Sequence, residues 1–265
     1  MIPTPHSDLA VGHGTHPGET GKNNEDRYEV KYYYGDGGES VTLAVIADGI
    51  GGNQAGEVAS DLAVKTITRS VGLSSGTDYG VILDQAISEA ARALVQAAQS
   101  RPDLKGMGTT CVAALLAGRR LYTAYVGDSR AYLARRGTIL QTTVDHTFVQ
   151  EAIEHGLLTP DEARSHPHRH VVRRHLGADP NVRADFRLRL ADQEPPEVSM
   201  RNQGVLLDPG SRLLLCSDGL SDLVEPDELL AVLEQNAPQA AVDQFILMAR
   251  QRGGHDNITA IVIQV

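Results

Sequence analysis

Tyr28, Val30, Tyr32 and Tyr34 recur at every second position, the period of a half-exposed strand. Gly35-Asp36-Gly37-Gly38 is a turn, and the apolar run 41–47 after it predicts a buried strand. Past Asp48 the period lengthens to that of a helix. Ala55, Val58, Ala59, Leu62, Ala63 and Ile67 mark one helical face, and Leu83, Ala86, Ile87, Ala90, Leu94 and Ala98 mark another. Strands are predicted at 109–117, 121–126 and 131–135, then helices at 147–155 and 160–164. Further strands are predicted at 182–190 and 212–217, helices at 227–233 and 240–251, and a closing strand at 258–265. Short turns such as Gly118-Arg119-Arg120 join neighbouring strands. This order favours an α+β fold of antiparallel sheets with helices outside, not a doubly wound parallel sheet. No repeat or linker interrupts it, so residues 1–265 read as one domain.

The chain is 41% hydrophobic, enough for a core, but it has no tryptophan and only 3 phenylalanines, so Val, Ile, Leu and Ala must fill it. A net charge of −10 argues against nucleic acid or an anionic membrane as a partner, since both need a basic face. No apolar run approaches the roughly 20 residues that span a bilayer. Residues 1–21 are polar and rich in Gly and His, unlike a signal peptide. Cys111 and Cys216 lie in apolar strand-like runs and read as buried reduced thiols, which makes the cytoplasm the default location. A monomer is the default assembly.

The informative chemistry lies where apolar runs meet an aspartate. The junctions are Val45-Ile46-Ala47-Asp48-Gly49, Tyr125-Val126-Gly127-Asp128, Leu215-Cys216-Ser217-Asp218-Gly219 and Asp256-Asn257-Ile258-Thr259. Asn24-Glu25-Asp26 precedes the alternating run. Singly, each reads as a turn, a loop or a helix cap. Together they predict carboxylates aimed from rigid strand ends. Such groups repel one another unless cations sit between them, so oxygen ligands for hard divalent metals are the simplest inference.

These motifs, with Asp48-Gly49-Ile50-Gly51-Gly52, Gly106-Met107-Gly108-Thr109-Thr110, Gly127-Asp128-Ser129-Arg130 and Asp218-Gly219-Leu220-Ser221-Asp222, resemble the metal-dependent protein phosphatases of the PP2C (PPM) family in their bacterial form. The resemblance runs from about Ala10 to Val265. It implies a four-layer αββα sandwich of two antiparallel β-sheets flanked by helices. It also implies hydrolysis of phosphoserine and phosphothreonine in proteins with Mn2+ or Mg2+, two core ions and a third, weaker one. Phosphorylated proteins, and the Ser/Thr kinases that make them, are the implied partners. Carried over by position, Asp48 bridges the core ions, Gly49 adds a carbonyl, and Asp218 and Asp256 complete one ion. Asp128 shares the third ion with Asp218, Glu25 and Asp26 hold water, and Asn257 supports the ligands from behind. The chemistry agrees: two ions about 3.5–4 Å apart lower the pKa of a water and neutralise phosphoryl oxygens, so no protein nucleophile is needed.

The chain departs from the family pattern at two positions. Where relatives carry an arginine that grips the substrate phosphate, this chain has Gly21, followed by Lys22, a point charge and not a bidentate fork. Where many bacterial relatives have a histidine, it has Asn53. Residues 145–177 resemble the family's flap over the cleft and carry a His/Arg-rich stretch, His166 to His175. That stretch reads as a solvated surface or as a group acting near substrate, and its spacing matches no known zinc cluster. A regulatory pseudophosphatase and a phosphatase of small molecules are the competing readings.

Overall fold

The computed structural model describes residues 1–51 and 55–265, and Asn53 lies outside the described residues. The chain begins with strands β1 (Ile2–Thr4), β2 (Ala10–His16), β3 (Arg27–Tyr34), β4 (Ser40–Ala47) and β5 (Gly49–Ile50). Two long helices follow, α1 (Ala55–Leu73) and α2 (Tyr79–Ser100). Then come β6 (Gly108–Thr109), β7 (Cys111–Ala117), β8 (Arg120–Val126), β9 (Arg130–Arg135) and β10 (Thr138–Gln141). The short helices α3 (Phe148–Glu154), α4 (Pro160–Arg164) and α5 (Pro196–Arg201) lead to β11 (Val205–Leu206) and β12 (Arg212–Cys216). Helices α6 (Asp218–Ser221), α7 (Pro226–Gln235) and α8 (Pro238–Gln251) precede β13 (Ile258–Gln264).

One sheet has the order β1-β3-β4-β7-β8-β11 and the other β10-β9-β12-β13-β2, and every pairing in them is antiparallel. The strands' side chains sort by parity. Leu43, Val45 and Ala47 of β4 face the cluster that holds α1 and α2, while Ala44 and Ile46 face the other sheet. On β12, Leu213 and Leu215 face the first sheet, while Leu214 and Cys216 face α7 and α8. Strands covered on both faces need apolar residues at every position, which is why these antiparallel strands read as continuous runs. The result is the αββα sandwich expected from the family resemblance.

Two expectations need correction. Residues 182–190 form no strand: their contact with β8 is a single bridge, Tyr125 to Asp185. Side chains take their backbone bonds instead, as Gln203 Nε2 donates to the Phe186 carbonyl at 2.8 Å and Asn202 Nδ2 to that of Leu188 at 2.9 Å. The segment read only as a polar N-terminus contains β2, an edge strand of the second sheet. Its apolar signal is missing because α8 lies so close: a Cβ on Gly12 would stand 2.3 Å from the Gln239 nitrogen.

Candidate metal centre

Asp48 follows β4, Asp128 follows β8, Asp218 follows β12, and Asp26 and Asp256 precede β3 and β13. The antiparallel registers bring these ends to one edge of the sandwich, with contributions from both sheets. Asp26 is buried, and its Oδ2 accepts from Thr259 Oγ1 at 2.6 Å and Ser217 Oγ at 2.8 Å. Ser217 N–H donates to the Thr259 carbonyl at 3.1 Å and Thr259 N–H to Ser217 Oγ at 3.0 Å, so the donors are rigid. Asp48 is fixed through its backbone: its N–H donates to Thr110 Oγ1 at 3.1 Å, and its carbonyl accepts from Thr110 N–H and Thr109 Oγ1, both at 2.8 Å.

The electrostatics are those of a crowded anion cluster. Burial, offset in part by the two hydroxyls and worsened by the charges of Asp218 and Asp256, pushes Asp26 up to about 7. Burial and the charges of Asp26, Asp218, Asp128 and Asp256 hold Asp48 well above the ordinary carboxylate range. Asp128 is raised likewise by burial and then by Asp218. Burial, Asp222 and Asp256 push Asp218 up to about 6. Glu25 is raised by burial, with Asp256 and Glu57 adding to it and Lys22 opposing.

A divalent cation fits this donor set. Asp26 Oδ1 and Asp218 Oδ1 are buried oxygens without a hydrogen-bond partner among the described residues. Two lone carboxylate oxygens in a cluster of mutually repelling carboxylates are what a hard cation neutralises. The site's glycines also have structural work. A Cβ on Gly49 would stand 2.3 Å from the Gly56 carbonyl oxygen, so Gly49 is needed for α1 to approach β5. Gly127 has φ +111, and its bend carries Asp128 away from β8, with a Cβ there meeting Thr110 at 2.6 Å.

Each sequence-predicted position is accounted for. Asp26, Asp48, Asp128, Asp218 and Asp256 come together. Glu25 is half-buried beside them, and its N–H donates to Asn257 Oδ1 at 2.6 Å. Asn257 Nδ2 donates to the carbonyls of Pro17 at 3.0 Å and Asn23 at 3.2 Å, so this one amide pins the loop before β3 against β13. Lys22 is exposed at the rim. Sequence reasoning gave no role to Ser217 and Thr259, although both stand inside the motifs. It also missed Asp222, whose Oδ2 lies 3.0 Å from His170 Nδ1 in segment 145–177. That segment is tied down at its base, where Arg173 N–H donates to the His146 carbonyl at 2.7 Å and Leu176 N–H to that of Thr109 at 2.9 Å. Cys111 and Cys216 are buried and unpaired, and burial pushes both thiols up to about 12.

A family model described as protein phosphatase 2C matches residues 13–252, and the chain belongs to that family. It is 37% identical over 243 residues to the serine/threonine protein phosphatase PstP of Mycobacterium tuberculosis H37Rv, covering 92% of this chain and 42% of PstP. The chain thus spans less than half the length of that relative. It is 32% identical over 250 residues to the serine/threonine phosphatase stp of Listeria monocytogenes EGD-e, covering 90% of this chain and 93% of stp. Among solved structures, the catalytic domain of PstP in complex with 2 manganese ions is similar with a TM-score of 0.78 at 33% identity, covering 97% of this chain and 98% of that one.

Proposed function

We propose that this protein is a metal-dependent phosphatase that hydrolyses phosphoserine and phosphothreonine in proteins, using Mn2+ or Mg2+. The observation that carries the reading is the convergence of five aspartates from both sheets on one edge, where burial and mutual repulsion raise the affinity of Asp26, Asp48, Asp128 and Asp218 for positive charge. The manganese in the similar PstP catalytic domain and the phosphatase relatives support it. On this reading Asp48, Asp218, Asp256 and the Gly49 carbonyl hold the core ions, and Asp128 with Asp218 holds a third. Bound divalent cations supply Lewis acidity: they lower the pKa of a water and neutralise charge on the phosphoryl oxygens.

The chain's own residues do the positioning. Asp26 turns Oδ2 to Thr259 and Ser217 and keeps Oδ1 for a water. Glu25 accepts from water beside it, in an orientation fixed through Asn257. Lys22 puts a cation at the rim where a phosphate enters. A thiol pushed up to about 12 has almost no thiolate at neutral pH, so cysteine nucleophiles are excluded. Residues 145–177 act as the flap of one catalytic domain. Phosphoproteins made by Ser/Thr kinases are the proposed partners, and the unpaired thiols fit a cytoplasmic site of action. Among the described residues, no helix is long and apolar enough to cross a membrane.

The test is phosphate release from a phosphothreonine peptide, with p-nitrophenyl phosphate alongside. Release should need Mn2+ or Mg2+, stop with chelator and resume with added metal. Asp48→Asn or Asp218→Asn should remove most of it. Equal turnover after exhaustive chelation would refute the metal reading. Turnover of small esters without phosphopeptides would refute the protein substrate.

A further inference from the structure

Asp128 owes its place to Gly127, and Gly127 is held by one residue. The pairing of β8 with β7 ends at Val126, and Gly127, which is buried, then turns at φ +111. Glycine is the most permissive residue, so such a bend keeps its shape only if its surroundings hold it. His146 does so through both backbone groups of the glycine. Gly127 N–H donates to His146 Nδ1 at 3.0 Å, and His146 N–H donates to the Gly127 carbonyl at 3.0 Å. We propose that His146 is the positioning residue of Asp128: it locks the bend at Gly127 and so fixes where the Asp128 carboxylate stands at the metal centre.

The imidazole is itself held. His146 is 4% exposed, and its ring stacks on that of Tyr125 with centroids 5.4 Å apart. Tyr125 is fixed in turn, since its hydroxyl accepts from Val144 N–H at 3.0 Å. A neutral imidazole must leave Nδ1 bare to accept from Gly127, so its proton sits on Nε2. Nε2 then donates to Asp185 Oδ2 at 3.1 Å. Asp185 is bound by Arg187, from Nε at 2.8 Å and Nη2 at 2.7 Å, and by two backbone bonds with Tyr125 at 2.8 and 3.1 Å. Arg174 Nη1 lies 3.1 Å from Nε2 and 4.0 Å from Asp185 Oδ2, so it adds positive charge opposite the same carboxylate. A carboxylate thus orients an imidazole, and the imidazole orients the backbone that carries a ligand. This support stands one step further from the ion than a partner bonded to the ligand itself.

The same residue reaches the flap. Its carbonyl accepts from Arg173 N–H at 2.7 Å, so His146 joins the base of segment 145–177 to the bend before Asp128. Asp48 is held elsewhere, through Thr109 and Thr110, and Asp218 through the turn to Asp222. Loosening His146 therefore frees Asp128 and leaves those two aspartates in place. The inference rests on the reading of Asp128 as a ligand of the weakest ion.

Metal-free protein is measured first. Nitrogen NMR of the wild-type imidazole should show Nδ1 without a proton and Nε2 with one. Gly127 N–H should exchange slowly with solvent in the wild type and in His146→Asn, whose amide oxygen can stand where Nδ1 does. It should exchange much faster in His146→Ala, and in His146→Gln, whose longer side chain carries its amide past Gly127 towards Asp185. Mn2+ is then titrated by calorimetry below the melting temperature of each variant. The weakest ion should bind roughly tenfold less tightly in His146→Ala and His146→Gln, with His146→Asn close to the wild type and the tighter ions unmoved in all three. A general loss of packing would instead affect the three variants alike. A proton on Nδ1 in the wild type, equal weakening in His146→Asn and His146→Ala, or an unmoved weakest ion in His146→Ala would overturn the positioning role. Retention of the weakest ion in Asp128→Ala would instead overturn the reading of Asp128 as its ligand. The exchange of Gly127 N–H would still decide whether His146 locks the bend, so the two failures are distinct.

Discussion

Asp26→Asn should make the metal-free protein less sensitive to pH, and the size follows from one buried carboxyl. Asp26 is 1% exposed and is pushed up to about 7 in the fold, against an ordinary value of 3.8. A folded-state pKa above the unfolded one means that the group's stabilising contribution is complete below the unfolded value. It is lost as pH rises through the folded value. At about 1.4 kcal/mol per unit, the full loss is on the order of 4 kcal/mol, of which about 3 kcal/mol falls between pH 5 and 8. For a chain of this size each kcal/mol moves Tm by roughly 2–4 °C, so the metal-free wild type should melt about 6–12 °C lower at pH 8 than at pH 5 from this group alone.

Asp48, Asp128 and Asp218 are raised as well and act in the same direction. His146 acts against them. Its pKa is lowered, by burial first, so it removes stability as pH falls through the unfolded histidine value. Asp185, depressed by His146 and Arg187, does so only at more acidic pH. His146 and Asp185 are unchanged in Asp26→Asn, so the difference between the two melting curves isolates the cluster. The asparagine retains an acceptor for Ser217 and Thr259 but adds a buried N–H without a partner, at about 1–3 kcal/mol. The variant should therefore gain little at pH 5 and more at pH 8, with a flatter curve between. Adding Mn2+ at pH 8 should raise the wild-type Tm and flatten its curve likewise. Parallel melting curves for wild type and variant across pH 5–8, measured after chelation, would refute the burial and repulsion argument.

Asp128→Ala should lose the weakest ion in a calorimetric titration, keep the tighter ions and slow peptide turnover; loss of every ion together would place Asp128 in the core. Lys22→Ala should raise KM for a phosphopeptide if lysine substitutes for the missing arginine, and Gly21→Arg should lower it. A charge-assisted contact of roughly 1.5–3 kcal/mol corresponds to about tenfold or more in KM. Gly21 has φ +73 with open space around its Cβ, so the arginine fits sterically but strains the backbone by about 1–2 kcal/mol. Tm should fall while KM improves, and silence of both variants in KM would move the phosphate grip elsewhere.

The parts of this protein that were legible in its sequence are those set by local burial. Runs such as Leu213–Leu215 and Ile261–Ile263 are buried on both faces, so composition alone marks them, and the aspartates stand out because they end such runs. Strand β2 was hidden because its outer face meets the start of α8, where only glycine fits at position 12. Residues 182–190 have the apolar alternation of a strand, but Gln203 and Asn202 supply the partners that a neighbouring strand would have supplied. The Ser217 and Thr259 donors to Asp26, and the meeting of His170 with Asp222, depend on segments far apart in the chain. No local period encodes such a meeting. The resemblance to a family supplied roles for the acidic residues, yet it could not announce a histidine that this chain brings to the edge.

The cluster's repulsion has to be held by something, and the structure shows where. Aspartates at the edge hang from strand ends whose backbone is already committed: Asp48 through Thr109 and Thr110, Asp26 through an N–H donated to Asn24 Oδ1 at 3.1 Å, Asp218 through a carbonyl that accepts from Asp222 N–H at 2.8 Å. Flexible carriers would let the carboxylates swing apart into water, which would relieve the repulsion and lose the site. Carriers fixed by sheets on both sides keep the oxygens together and transfer the strain to the whole sandwich. A cation then gains from a cavity already shaped for it, because the fold has met the ordering cost in advance. Affinity for metal and instability without it are, on this account, two expressions of one arrangement. A variant that relieves the repulsion should gain metal-free stability in the same measure that it loses affinity for the ion.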